Sequence, residues 1–244
     1  MAEADITRIR DDYRRVADNV DRVARSAGRN SEEIRIVVVT KSQTVETINA
    51  AISAGIRLFG ENYPEEAREK IAVIETRESI QWHMIGHLQT RKIKIFAENF
   101  HMLHSLDSYR LANKLNMYLE GNQLKPIPVL LEMNVSGEES KFGFSAWNEE
   151  TINQSLADIE KIMGFSYLRV LGVMAMPPLF DDPEASRPYH RKLYNIFNQL
   201  KKLYPDQSWQ EVSSGTSYDY EIAIQEGATY LRIGQAILGA RAKR

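Results

Sequence analysis

Apolar positions along this chain change period repeatedly. Ile6, Ile9, Tyr13, Val16, Val20 and Val23 recur at spacings of three and four, which predicts an amphipathic helix with Asp5 as N-cap and Gly28 as stop. Residues 34–41 abandon that period: Ile36, Val37, Val38 and Val39 run without polar alternation, as in a parallel strand buried on both faces. Residues 44–52 return to helix, with Val45, Ile48 and Ile52 on one face and Gly55 as terminator. A second strand is predicted at 56–62, a helix from Pro64 carrying Ala67, Ile71 and Ile74, a third strand at 80–86 and a fourth at 102–106. Asp107 or Ser108 can cap the helix bearing Leu111, Leu115 and Leu119. The fifth strand is 127–135, followed by a polar loop at 136–145 and a helix with Ile152, Leu156, Ile159 and Ile162. The sixth strand, 168–176, is closed by Pro177 and Pro178, and the acidic, proline-containing stretch 179–187 reads as an exposed loop. A helix through Leu193, Phe197 and Leu200, a strand at 209–213, a helix at 217–226, a strand at 229–233 and a short helix at 235–241 complete the pattern.

Eight strands alternating with helices over this length predict a single α/β domain spanning 1–244, a (β/α)8 TIM barrel with an extra N-terminal helix. An open doubly wound sheet uses the same alternation, but strand count and length favour the barrel. No linker divides the chain.

Composition narrows the chemistry. A net charge of −2 advertises neither nucleic acid nor a membrane surface. The absence of cysteine excludes disulfides, thiol nucleophiles and thiolate metal sites. The acidic start carries no signal-peptide pattern, and no apolar run reaches membrane-span length, so a soluble cytoplasmic protein is expected. The core accounts for the apolar helix faces, which points to a monomer.

In a barrel the strand C-termini form the active face. Lys41 ends the first strand, with an apolar wall behind it and a crevice in front. That setting can make an amine a nucleophile toward carbonyls, although a solvated end-of-strand lysine fits the pattern as well. Ser213, Ser214, Gly215, Thr216 and Ser217 follow strand seven, and Gly234 and Gln235 follow strand eight, where barrels often build a phosphate site; a pair of capped turns is the plainer reading. Arg232 either turns into the barrel mouth or outward to a helix carboxylate. A lysine and a phosphate cradle on one face suggest pyridoxal 5'-phosphate (PLP), with Arg232 placed to meet the pyridine nitrogen as a donor that cannot accept a proton. His83 and His87 sit at a strand end with no carboxylate near them in sequence, which argues for packed or hydrogen-bonded histidines over a zinc pair. His101 and His104 flank the fourth strand and read as capping or solvated. Tyr218 and Tyr220 lie near the phosphate turn and could reach the site or pack beside it.

Several blocks then resemble the signatures of the PLP homeostasis protein family, itself similar to the barrel domain of bacterial alanine racemase. They are Val39-Thr40-Lys41, Phe59-Gly60-Glu61-Asn62-Tyr63, the run from Trp82 to Gln89, Ser140-Lys141-Phe142-Gly143, the run from Gly172 to Met176, and the run from Arg232 to Arg241. They occur in family order across almost the whole chain. The resemblance implies that Lys41 holds PLP as a Schiff base, that the 213–217 turn with Gly234 and Gln235 binds its phosphate, that Arg232 faces the pyridine nitrogen, and that Asn62 and Met174 line the ring. Two departures stand out: the turn reads Ser-Ser-Gly-Thr-Ser where Ser-Met-Gly-Met-Ser is frequent, and Gln235 replaces the usual threonine or serine. Thr216 could supply the hydroxyl lost at 235.

Family members lack the racemase's second domain with its opposing tyrosine, and this chain reads the same way after its barrel. The expectation is a PLP carrier acting in intracellular PLP homeostasis, with PLP-dependent apo-enzymes as candidate recipients. The alternatives are a PLP-dependent amino-acid racemase or lyase on the same barrel, or a barrel hydrolase of phosphorylated sugars that uses no Schiff base.

Overall fold

The computed structural model describes residues 3–74 and 79–240. Its strands are β1 (Arg35–Val39), β2 (Leu58–Glu61), β3 (Gln81–Met84), β4 (Met102–Leu106), β5 (Ile127–Asn134), β6 (Phe144–Ser145), β7 (Leu168–Met174), β8 (Glu211–Ser213) and β9 (Tyr230–Ile233). All but β6 pair in parallel around a closed ring, in which β4 joins β5, β5 joins β7, and β9 returns to β1. The two-residue β6 adds to the upper end of β5 outside that ring. The helices are α1 (Glu3–Ser26), α2 (Val45–Ser53), α3 (Pro64–Ala72), α4 (Ile93–Asn99), α5 (Tyr109–Gly121), α6 (Glu149–Met163), α7 (Arg187–Leu203), α8 (Tyr220–Gln225) and α9 (Gln235–Leu238). The fold is the expected (β/α)8 barrel, and α1 is the extra N-terminal helix ahead of it.

The period of two along each strand sorts side chains into two cores. Ile36 and Val38 join the large core between sheet and helices, together with Trp82, Met84, Val212, Leu231 and Ile233. Val37 faces the lumen with Ile85, Met102, Leu130, Met174 and Tyr230. The same parity turns His83, Ser213 and Arg232 inward. The middle of this barrel is therefore markedly polar, where branched aliphatic layers are usual.

Several helix boundaries follow sequence logic. Thr44 caps α2 by accepting from the Thr47 N–H, Ser108 caps α5, and Pro64 opens α3 at a position where its missing N–H costs nothing. Gly28 and Gly55 end their helices at φ +70° and +99°.

Others differ from expectation. Asp5 lies inside the first turn of α1, where its charge favours the helix dipole, and is not the N-cap. The sequence pattern predicted nothing between strands three and four, yet α4 is there, burying only Ile93 and Phe96. The 179–187 stretch contains a 3-10 turn over Pro183–Ser186 with Ser186 buried, so it is not wholly an exposed loop. The helix expected at 217–226 begins only at Tyr220. The terminal helix ends at Leu238, and the Arg241 expected in it lies outside the described residues. Among the described residues no helix is long and apolar enough to cross a membrane.

Candidate functional site

β1 delivers Lys41 two residues past its end, and the backbone around it is pinned from several sides. The Thr40 N–H donates to Gly60 O (3.0 Å) and the Gln43 N–H to Thr40 O (3.0 Å). Buried Lys70 on α3 donates to Thr40 O (2.8 Å), to Glu61 Oε1 (2.8 Å) and to Glu66 Oε1 (2.6 Å). Glu66 accepts in turn from the Ser42 N–H at 2.7 Å. Ser42 adopts φ +59°, a left-handed conformation that costs a non-glycine residue on the order of 1 kcal/mol and that the Glu66 bond supports. Burial pushes the Glu61 carboxyl up, while the Lys70 charge and the bonds from Lys70 and Thr40 oppose it.

Lys41 lines a cavity of about 290 Å³, near the lower end of the range for small-ligand pockets. Asn62, Thr216, Ser217, Arg232, Gly234 and Gln235 share that cavity, with Val39, Ile85, Met176 and Leu179 as its apolar walls. Asn62 is set in place by Gly86: a Cβ there would lie 2.6 Å from Asn62 O and 2.7 Å from its Cα. Asn62 Oδ1 is buried without a hydrogen-bond partner.

Arg232 points into the mouth and, among the described residues, has no outward carboxylate partner. It is 4% exposed and donates from Nη1 to Ser213 Oγ (2.6 Å), and from Nη2 to Ala175 O (2.8 Å) and Met176 Sδ (2.9 Å). Burial pulls its guanidinium down to about 10, still a cation at neutral pH.

Beneath it, Ser213 Oγ is 2.9 Å from His104 Nδ1, and His104 Nε2 is 2.9 Å from His83 Nδ1. Burial, with the nearby charges of His101 and Arg35, lowers His83 to about 3; burial and the neighbouring cations also depress His104, so both imidazoles are neutral. Arg232 can only donate, and an unused Ser213 proton would cost a hydrogen bond. The chain of donors therefore runs Arg232, Ser213, His104, His83. His104 is a lumen residue inside β4, contrary to the capping or solvated role expected for it, whereas His101 does cap, accepting from the Trp82 N–H at 3.0 Å. His87 belongs to a separate rim contact, 2.7 Å from Asp107 and stacked on Phe142.

The remaining expected site residues lie deeper. Met174 is fully buried in the lumen cluster, and Met176 takes the cavity wall. Ser213 supports Arg232, while Ser214 turns to His190 on α7 (2.6 Å). Gly215 is held at φ +89°, and a Cβ would meet the Ala223 Cβ at 2.6 Å. Thr216 donates both its N–H (2.7 Å) and its hydroxyl (2.8 Å) to Asp219 Oδ1. Ser217 Oγ accepts from the Ala236 N–H at 3.4 Å, leaving its own proton to give. Tyr218 stands on the cavity rim, 60% exposed, whereas Tyr220 faces α1 and accepts from Asn19 at 2.6 Å.

Sequence reasoning missed Lys70, His190, Asp219 and Glu132. Glu132 faces the lumen with Oε2 unpartnered; burial and the charge of Asp107 raise its carboxyl to about 7. Lys70 and His190 did leave a signal. Lys70 sits between Ala67 and Ile74, and His190 three residues before Leu193, both where helical period assigns the core.

Comparison with known proteins agrees with this geometry. The family model for the alanine racemase N-terminal domain matches residues 12–242. A pyridoxal phosphate homeostasis protein of Pasteurella multocida is 34% identical over 93% of this chain and 94% of its own. A solved structure of an unknown protein from Bifidobacterium adolescentis superposes with a TM-score of 0.83 at 30% identity, covering 97% of each chain. PipY of Synechococcus elongatus, solved with PLP bound, superposes with a TM-score of 0.77 at 25% identity, over 90% of this chain and 99% of that one. The chain belongs to the pyridoxal phosphate homeostasis protein family, built on the alanine racemase N-terminal-domain barrel.

Proposed function

We propose that this chain, as one barrel domain over residues 1–244, binds PLP on Lys41 and serves PLP homeostasis in the cytoplasm as a carrier, with apo-enzymes as recipients. The observation that carries the reading is the single cavity joining Lys41, the buried Arg232 and the 216–217 and 234–235 turns. PLP supplies an aldehyde that condenses with a lysine amine, releasing water. Lys41 holds the reacting nitrogen on a pinned backbone. Arg232 offers donors to a ring nitrogen and would leave it unprotonated, which makes the ring a weaker electron sink. Asn62 Oδ1 can accept from a ring hydroxyl. Ser217, Gly234 and Gln235 would hold the phosphate, with Ser213, Ser214, Gly215 and Thr216 shaping their turn, and Met174, buried in the lumen cluster, would back the ring.

Absorption spectra of wild type and Lys41→Ala with added PLP test this, followed by borohydride reduction and peptide mapping. A visible imine band in wild type alone, with the reduced adduct on Lys41, is the expected result. No band in wild type overturns the reading. Cα proton–deuterium exchange across a panel of amino acids separates carrier from racemase or lyase, and the carrier role predicts none above buffer.

A further inference from the structure

The turn that shapes the phosphate end of the cavity is closed by a buried histidine from outside it. His190 on α7 lies 2.6 Å from Ser214 Oγ through Nδ1 and 3.0 Å from Asp219 Oδ2 through Nε2. Serine, histidine and aspartate in this order form the relay that activates a hydrolase nucleophile. Here Ser214 is 1% exposed and His190 2%, so no substrate reaches the hydroxyl. The chain has a mechanical task instead.

Its two ends are the two ends of the turn. The Ser214 N–H is tied to Tyr230 O (3.0 Å) on β9, while Asp219 Oδ1 takes both donors of Thr216. Burial works against the Asp219 carboxylate, but the bonds from His190 and Thr216 outweigh it and hold the carboxyl below its usual range. Asp219 is thus an acceptor only. The His190 Nε2 proton meets it, and the Ser214 hydroxyl turns to Nδ1. The helix carrying His190 is itself fastened to the end of α8, since Arg187 and Arg191 each reach Glu226 at 2.8 Å.

Asp219 also lines the cavity. An unrestrained carboxylate there would repel a phosphate. We propose that His190 is a positioning residue for the phosphomonoester group: it fixes the turn 214–219 and keeps the Asp219 charge engaged away from the bound anion. The proposal rests on the PLP reading above, and it concerns only the phosphate end of the ligand.

The test compares PLP with pyridoxal, which carries the same aldehyde and ring but no phosphate. Dissociation constants for both are measured by absorption titration in wild type, His190→Phe and Ser214→Ala. His190→Phe is expected to weaken PLP about tenfold, the scale of one lost charge-assisted bond, while pyridoxal stays within about twofold. Ser214→Ala is expected to shift the same ratio by a smaller factor, and it decides the matter if His190→Phe does not fold. Equal weakening of both ligands, or an unchanged ratio in a wild type that binds PLP, overturns the positioning role alone. A wild type that binds neither ligand overturns the PLP reading and this role with it.

Discussion

Arg232 Nη1 and Ser213 Oγ are 2.6 Å apart on the neighbouring strands β8 and β9, inside the barrel and out of reach of bulk water. The contact joins the cationic floor of the cavity to the neutral His104–His83 pair. Ser213→Ala leaves an Arg232 N–H and the His104 Nδ1 without partners. A loss of about 1–3 kcal/mol is expected, read from urea unfolding at neutral pH. An unchanged midpoint would show that the hydroxyl does not hold Arg232.

Lys70 is the hub beneath Lys41, satisfying Thr40 O, Glu61 and Glu66 at once. Lys70→Met strands the Glu61 carboxylate in the core and should cost roughly 3–5 kcal/mol, as breaking buried ion pairs does. The double variant Lys70→Met, Glu61→Leu should recover much of that loss, because the charge left without Lys70 is then Glu66, which is partly exposed and keeps the Ser42 N–H. Denaturant unfolding of the pair of variants checks the order, and a double variant no better than the single contradicts it.

Glu132 predicts a pH dependence of definite sign. Burial, with the charge of Asp107, lifts its carboxyl to about 7, so between the unfolded value near 4.3 and about 7 the folded chain holds more protons than the unfolded one. This group's contribution therefore makes stability fall as pH rises across that window, and it is level above it. Glu132→Gln should remove that component, so the difference between the two proteins' unfolding free energies should change between pH 5 and 7, with wild type falling more steeply, and level off above it. Parallel profiles would contradict the assignment.

The barrel was legible because buried strands and amphipathic helices alternate with different periods, and each of the eight ring strands was placed close to its observed span. Helix α4 escaped because Lys92-Ile93-Lys94-Ile95 alternates with period two, and a seven-residue helix burying two side chains leaves no helical stripe. The direction of Arg232 was undecidable from its neighbours. Both faces of a barrel strand are apolar, and the parity that turns Leu231 and Ile233 toward the helices is set only by the closed ring. The cavity's outline was readable from strand ends, but its supports were not. Ser213 meets His104 across 109 residues and Ser214 meets His190 across 24, which no local pattern encodes.

Helix α1 packs against α2, α8 and α9, and its Asn19 bonds Tyr220 and Glu221, the former 201 residues away in sequence. That arrangement carries a cost in time. During synthesis the stripe of Ile9, Val16, Val20 and Val23 can be met early by α2 but waits for the α8 and α9 part of its cover until residues beyond 220 have been made. Ring closure between β1 and β9 waits equally long. The nascent chain therefore spends most of its synthesis with part of the α1 stripe uncovered and with β1 paired to β2 on one side but open on the side β9 will take, exposed surface of the kind that favours aggregation before folding is complete.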